Sequence, residues 1–207
     1  MQQRIPIFEE RTLTAQLPVH PGCTLEYHIS YPVFGQFPAL SARYAAWAAR
    51  YADYIRQTYL PALRGLPRGC LGECPHIEGR FEVSYAGQGL LSVCVEVWED
   101  LGLYHTALGR RADLWHLPDG RPMGLKDLFG DPAAVQREIT ACIAAEIAAA
   151  PEGRYFGGWQ RRPRWFFLTE RGLCVFYRPG DITALSGGIP TFLIPWEKLR
   201  PYAKIPL

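Results

Sequence analysis

The chain has 207 residues, 48% of them apolar, which allows one ordinary hydrophobic core or two small cores that share an interface. Its 22 basic and 20 acidic residues give a formal net charge of +2. They form no sustained basic stripe of the kind that binds a phosphate backbone, so we expect no nucleic-acid partner.

The amino-terminal stretch, residues 1–16, lacks the basic segment followed by an apolar run that marks a signal peptide. No window approaches the roughly 20 apolar residues of a membrane-spanning helix. The sequence as given therefore predicts no membrane association and a cytoplasmic location. An extracellular location is expected if the chain is a piece of a longer protein.

The first half of the chain predicts one strand and one helix. The β-rich stretch Cys23–Phe34 is typical of a strand. A helix is expected from about Pro38 to Tyr59, because apolar residues recur there at helical spacing. The residues of its predicted buried face are Leu40, Tyr44, Trp47, Tyr51 and Ile55. The Pro- and Gly-rich stretch 60–79 predicts a long connection.

The middle of the chain predicts an antiparallel meander. Three strand-like runs follow the connection, within residues 80–100 and 103–117, with turn signals at 87–89 and 100–102. The sequence Pro-Asp-Gly at 118–120 is a tight turn that should close the next hairpin.

A second helix should begin at Pro132, because Asp131 is a capping acid placed directly before a proline. It is expected to extend to about Ala150. The residues of its predicted buried face are Val135, Ile139, Cys142, Ile143 and Ile147. A hairpin turned at 170–172, a loop and a final strand should follow.

These elements predict an α+β fold in which two principal helices pack on a mixed, mainly antiparallel sheet. We expect a single compact unit over residues 1–207. Within it, residues 23–115 should form an N-terminal module and residues 116–207 a C-terminal module.

The C-terminal module contains GLKDLFGDP, an amphipathic helix after it, FFLTERGLCVFY, a loop and FLIPWEKLRPY. This order of motifs resembles the RsiV-like domain. The earlier part, with ISYPVF, a helix and LLSVCVEVWED, is similar to the module that usually precedes that domain. Together they cover about residues 23–202. At residues 99–109 and 177–188 the sequence differs from the motifs that are common in this family.

The resemblance implies a role as well as a fold. RsiV-like domains form the extracellular part of lysozyme-sensing anti-sigma factors and accompany the catalytic domain of some peptidoglycan deacetylases. A lysozyme-like protein partner is what the resemblance implies here. In the GLKDLFGDP stretch, we expect Leu125, Leu128 and Phe129 to close the base of the core. Asp127 and Asp131 should accept hydrogen bonds from free amides at helix starts.

The candidate binding region is the loop YRPGDITALSGG, residues 177–188, together with two nearby tryptophans. Its glycines relax the backbone and its aromatic and charged residues are typical of binding surfaces. The predicted contact residues are Trp159, Trp165, Tyr177, Arg178, Asp181 and Ser186. The basic run WQRRPRW, residues 159–165, is also a candidate for holding an anion or stacking a base or sugar.

The sequence contains six cysteines, and Cys94, Cys142 and Cys174 lie in apolar runs where a thiol acts as a small hydrophobe. The stretch CLGECPH differs, because Cys70, Cys74 and His76 supply three potential zinc ligands. No second half-site accompanies them. We predict two free loop thiols, with a Cys70–Cys74 disulfide or a zinc site as alternatives.

The sequence therefore predicts a noncatalytic recognition module that binds a protein or cell-wall-related ligand through surface loops. No phosphate loop, nucleophile elbow or His-Glu zinc helix occurs, and neither a catalytic residue nor a cofactor is predicted. A hydrolase or deacetylase-like enzyme is one alternative and requires His105, Asp181 and Ser186 to cluster. A metal-responsive module built on Cys70, Cys74 and His76 is the other.

Overall fold

The computed structural model describes residues 6–67, 69–103, 106–157, 159 and 162–206. The chain divides into two compact units that interleave along the sequence. The first unit contains Pro6–Phe81 and Val95–Leu108, and the second contains Glu82–Cys94 and Gly109–Leu207. The two modules expected from the sequence, residues 23–115 and 116–207, follow one another along the chain and do not interleave. Their division at residue 115 stays a prediction.

The described elements comprise a six-stranded sheet, a three-stranded sheet and helices, which confirms the α+β fold class. The order in the larger sheet is β1-β2-β3-β4-β5-β6 and in the smaller sheet β7-β8-β9. The strands are β1 Phe8–His20, β2 Cys23–Phe34, β3 His76–Gly87, β4 Leu90–Asp100, β5 Thr106–His116, β6 Arg121–Pro122, β7 Trp165–Thr169, β8 Gly172–Phe176 and β9 Thr191–Pro195.

The helices account for the rest of the regular structure. They are α1 Pro38–Tyr54, α2 Leu60–Arg64, α3 Leu125–Leu128, α4 Pro132–Ala149 and α5 Trp196–Leu199. A π-helical turn, Ile55–Tyr59, joins α1 to α2, and single 3₁₀ turns occur at Leu185–Gly187 and Arg200–Tyr202. Within the described residues, no helix combines the length and the apolar character needed to cross a membrane.

In the first unit, strands β1 and β2 form a long antiparallel hairpin, in which Leu13 lies opposite Ile29. Strand β2 was predicted within Cys23–Phe34 with its pattern ending at Pro32, and the strand in fact continues to Phe34, whereas β1 was not predicted. On its other edge β2 pairs in parallel with β3, and Glu26 lies opposite His76. A parallel pair needs a long crossover connection, and the helical segment supplies it.

The helical segment of the first unit runs without a break through 27 residues. The predicted end at Tyr59 is therefore wrong, and the connection to β3 is shorter than expected. The hydrogen bond from Leu60 N–H to the Ile55 carbonyl marks a π turn, which rearranges the ladder just before Pro61, a residue with no N–H to donate. The helix can therefore pass the proline.

The buried face of this helix matches the prediction in part. Leu40, Tyr44 and Ile55 are at most 2% exposed, and two small alanines, Ala48 and Ala52, complete the face. Trp47 and Tyr51, which were predicted to be buried with them, are only partly buried. The helix can approach its neighbour closely at the alanines, which leaves the larger aromatic rings at the flank.

The flanking tyrosines are held by a carboxylate. Tyr51 and Tyr59 both donate their phenolic hydrogens to Glu99, the latter at 2.9 Å. Partial burial and the adjacent Glu99 carboxylate raise the pKa of both tyrosines, so both stay protonated as donors. Strand β4 and the helical segment are thereby joined by hydrogen bonds.

In the second unit, helix α4 begins as predicted. The Asp131 carboxylate accepts hydrogen bonds from Ala133 and Ala134 N–H at 3.1 and 2.9 Å. Of the predicted face, Val135, Ile139 and Ile143 are at most 2% exposed. The remaining members, Cys142 and Ile147, are partly buried and pack against the same core.

The Asp-Leu-Phe turn before α4 also has the predicted structure. Leu128 and Phe129 are buried in the core of the second unit, and Leu125 packs against it. The Asp127 carboxylate accepts a hydrogen bond from Gly124 N–H at 2.8 Å. Phe129 forms an isolated antiparallel bridge with Ala203, so the turn connects the start of α4 to the carboxyl-terminal segment.

Strands β7, β8 and β9 form the antiparallel sheet of the second unit. The hairpin turn at residues 170–172 confirms the prediction, and β8 is buried throughout. The final strand is shorter than expected, because the chain enters α5 at Trp196. Ser92 on β4 reaches this sheet, since its hydroxyl accepts a hydrogen bond from Leu168 N–H at 3.1 Å.

Candidate functional site

The candidate site lies at the open end of the β7–β8 hairpin, in the second unit. Trp165 opens β7 and pairs with Phe176, the last residue of β8. Their rings stack with centroids 6.1 Å apart and an interplanar angle of 22°. Because Phe176 is 2% exposed, it supports one side of the partly buried indole. The tryptophan therefore has a fixed orientation at the surface.

A guanidinium group lies on this tryptophan. The Arg178 Cζ atom is 4.8 Å from the centre of the Trp165 ring, a cation–π distance. Arg178 N–H donates to the Asp181 carboxylate at 3.1 Å, and Asp181 N–H donates to the Arg178 carbonyl at 3.1 Å. Gly180, with φ of +83°, allows this tight turn. The turn positions Arg178 before any ligand arrives.

Tyr177 is the buried aromatic residue of the site. It is 5% exposed, and its hydroxyl donates to the Trp159 carbonyl at 2.7 Å. Burial, together with the nearby Asp181 carboxylate, raises the pKa of Tyr177 to about 12, so the hydroxyl remains a donor at neutral pH. This side chain offers little surface to a ligand and instead anchors the segment that leads into β7.

These residues border a groove of about 220 Å³. Its lining consists of Arg162, Pro163, Arg164, Trp165, Tyr177, Arg178, Asp181 and Ile182. Three of the lining residues are arginines and one is an aspartate, and the carboxylate of that aspartate is engaged by a backbone amide of its own turn. The electrostatic balance favours a negatively charged ligand, and the guanidinium fork suits carboxylates and phosphates.

The structure brings four of the six predicted contact residues together in this groove: Trp165, Tyr177, Arg178 and Asp181. Trp159 takes part through its backbone carbonyl. Ser186 is exposed on a 3₁₀ turn and is not among the lining residues. Arg162 and Arg164 were not named as contact residues, although the basic run that contains them was the signal for an anion site.

The enzyme alternative receives no cluster of the expected residues. Its candidate base, His105, lies outside the described residues. Asp181 accepts a hydrogen bond within its own turn, and Ser186 lies outside the groove. The groove that contains Asp181 therefore does not contain Ser186, although the enzyme alternative requires a serine beside its base and orienting group.

The zinc alternative requires Cys70, Cys74 and His76 to converge. Both cysteines are exposed free thiols, and His76 pairs with Glu78 at 3.4 Å. Among the residues that the structure describes, no group of three or more His, Cys, Asp or Glu side chains is placed to hold a metal ion.

Comparison with known proteins identifies a domain family but no activity. Residues 126–197 match the family model described as a protein of unknown function, DUF3298. This match lies inside the C-terminal module predicted from the sequence. No curated protein sequence matches the chain.

Two solved structures share the fold over nearly the whole chain. One is a DUF3298 family protein from Pseudomonas aeruginosa PAO1, with a TM-score of 0.66 and 18% identity over 96% of this chain and 95% of that one. The other is a member of the DUF3298 family from Bacteroides fragilis NCTC 9343, with a TM-score of 0.61 and 18% identity over 95% and 93%. At this identity the likeness shows the fold, and residues 126–197 match the DUF3298 family model.

Proposed function

We propose that this chain is a noncatalytic recognition module and that the Trp165–Arg178 groove binds the anionic group of a cell-wall-related ligand. The observation that carries the proposal is the Arg178 guanidinium, held over the Trp165 ring and beside Arg162 and Arg164. Preorganised arginines lose little conformational freedom on binding, and they recognise planar carboxylates through two parallel hydrogen bonds.

The class of ligand is inferred from the resemblance of the sequence to the RsiV-like domain, whose relatives act at the bacterial cell wall. Peptide stems of cell-wall fragments carry carboxylates, and their sugars carry apolar faces. A carboxylate fits the arginines of the groove, whose Arg178 and Phe176 side chains already pack on the Trp165 indole.

The test is titration of the full chain with a purified muropeptide, measured by calorimetry. Replacing both Arg178 and Asp181 by alanine should raise the Kd about 10- to 100-fold, because a hydrogen bond to a charged group contributes about 1.5–3 kcal/mol. The same variant should keep its thermal midpoint, since both side chains are exposed.

The matched control is Arg171→Ala, which removes an exposed arginine at the β7–β8 turn, away from the groove. It should bind like the unmodified protein. A second arm replaces the muropeptide stem carboxylates by amides and should weaken binding by a similar factor. The groove is not the site if the intact chain binds a muropeptide and the double variant binds the same muropeptide with undiminished affinity. Titration with lysozyme tests the partner that the family resemblance implies.

A further inference from the structure

A second cavity, in the first unit, contains two cysteines from distant parts of the sequence. It has a volume of about 290 Å³, and its lining includes His20, Cys23, Glu73 and Cys74. Cys23 opens β2, and Cys74 lies two residues before β3. The sequence offered Cys70 only as an alternative disulfide partner of Cys74, and Cys70 does not line this cavity.

The parallel pairing of β2 with β3 brings the two thiols together. Glu26 lies opposite His76, and Glu26 N–H donates to the Pro75 carbonyl at 3.0 Å, directly after Cys74. Extending that register by two residues places Cys74 beside Thr24, the neighbour of Cys23. Adjacent strands lie about 4.8 Å apart, within the range of Cα separations that a disulfide spans.

Side-chain contacts agree with this placement. The Cys74 thiol lies 3.9 Å from the carbonyl oxygen of Gly22, the residue before Cys23. Partial burial, then a hydrogen bond with Cys74 and the charge of Cys74, raise the pKa of Cys23 to about 11. Cys74 is the exposed member of the pair and meets reagents first, whereas Cys23 is partly buried.

His20, which also lines this cavity, has a ring nitrogen without a hydrogen-bond partner among the described residues. This nitrogen, Nε2, is buried. A buried nitrogen without a partner is unusual, since most such atoms are satisfied. An imidazole nitrogen of this kind can act as the base that activates a thiol.

We propose that Cys23 and Cys74 form a dithiol modification site that low-molecular-weight disulfides oxidise to an intramolecular disulfide, with His20 as the proton acceptor. In the first step the Cys74 thiolate attacks the reagent disulfide, forms a mixed disulfide and releases one thiolate. In the second step Cys23 loses its proton to His20, attacks the Cys74 sulfur and releases the second thiolate. The two protein thiols are oxidised and the reagent disulfide is reduced to two thiols.

The bond would join the first residue of β2 to the segment that leads into β3. The residues between them include the whole helical segment of the first unit. A crosslink that closes a long loop restricts the unfolded chain, and the oxidised form should therefore unfold at a higher temperature than the reduced form.

The experiment treats the reduced full chain with oxidised glutathione and follows the intact mass and the free-thiol count. The expected product has lost two hydrogen atoms and two thiols, and a peptide map should place the link between Cys23 and Cys74. The Cys70→Ser control should react in the same way. The Cys23→Ala variant should stop at the mixed disulfide on Cys74, and the Cys74→Ala variant should form neither product.

His20→Gln separates the role of the imidazole from that of the thiols. It should slow the second step at least about tenfold without slowing formation of the mixed disulfide in a Cys23→Ala background. A link between Cys70 and Cys74, a mixed disulfide that persists in the unmodified chain, or no reaction would each overturn the proposal. An equal second-step rate for His20→Gln would overturn the role of His20.

Discussion

Single side chains join distant parts of the second unit, and Ser92 is the clearest case. It is fully buried, and its hydroxyl accepts hydrogen bonds from Leu168 N–H at 3.1 Å and from the Ser84 hydroxyl at 3.0 Å. Leu168 is buried as well, so an alternative partner from solvent is not accessible. This one oxygen connects β4 to the outer edge of β7.

Ser92→Ala should therefore lower the free energy of unfolding by about 1–3 kcal/mol, the typical cost of leaving a buried amide unpaired. Urea denaturation measures the change. Ser84→Ala is the matched control, because it removes a donor from a partly buried residue and leaves the Leu168 amide paired. If both substitutions lower the free energy of unfolding equally, the hydrogen bond from Leu168 N–H contributes no stability beyond that of the Ser84–Ser92 hydroxyl pair.

Asp127 links stability to pH. Its pKa lies below the ordinary value, because the carboxylate accepts Gly124 N–H and lies near Arg121. A carboxylate with a lowered pKa in the folded state stabilises the protein above its unfolded pKa, and this contribution disappears as the pH falls through the folded pKa. Asp127→Asn should therefore destabilise the chain at pH 7.

The difference between the unmodified chain and Asp127→Asn should shrink below about pH 4, the ordinary range of an aspartate. Urea midpoints measured across pH 2–7 give the comparison. Glu170→Gln, which changes an exposed carboxylate in the β7–β8 turn, should show no such pH-dependent difference. A stability difference for Asp127→Asn that is constant with pH would contradict the role of its charge.

At the level of elements, helix α4 is fixed to the core by one face. Ile139 lies in the middle of that face and is 1% exposed. Ile139→Ala should lower the free energy of unfolding by about 2–5 kcal/mol through lost burial and the cavity that remains. Arg137→Ala, an exposed change on the same helix, should cost less than about 0.5 kcal/mol. Thermal and urea unfolding measure the stability of both variants. If Ile139→Ala and Arg137→Ala lower the free energy of unfolding equally, Ile139 does not lie on the buried face of α4.

Local signals predicted helix α4 because they coincide: a capping acid, a proline and a helical period stand within a few residues. Strand β1 was missed although Leu13, Ala15, Leu17 and Val19 alternate with polar residues, which is the pattern of a half-buried strand. The parallel pairing of β2 with β3 has no local signal, because it depends on where a long helical crossover returns the chain.

The candidate site was predictable to a similar extent. The turn at residues 170–172 predicts a hairpin, and a hairpin places Trp165 near the start of the following loop. The burial of Tyr177 was not predictable from alternation along the strand, because every residue of β8 just before it is buried as well. The Cys23–Cys74 pair has no local signal either, because only the strand register brings it together.

At the scale of the molecule, the core of the second unit draws on two separate stretches of sequence. Tyr85, Leu90 and Leu114 belong to the same buried cluster as Leu128 and Ile139. The segment that matches the domain family, residues 126–197, contains only the last two. A domain boundary placed by sequence similarity therefore omits part of the core.

A fragment of residues 116–207 should consequently show no cooperative thermal unfolding, whereas residues 82–207 should unfold cooperatively. Circular dichroism in the near ultraviolet, which reports fixed aromatic packing, distinguishes the two. The longer fragment is the control, because it restores Ser92 and the three missing core residues. Cooperative unfolding of the shorter fragment would instead support the consecutive modules expected from the sequence.

Interleaving of the two units also sets the order in which they can be completed on the ribosome. All of the first unit has been synthesised once residue 108 is made, whereas the second unit still requires residues 109–207. At roughly 5–20 residues per second, this interval lasts on the order of 5–20 s. Until residues 165–169 of β7 are made, Ser92 in the apolar stretch Leu90–Cys94 lacks its hydrogen-bond partner on that strand. The nascent chain therefore carries a strand without its final packing, a feature that chaperones recognise and that the finished protein no longer presents.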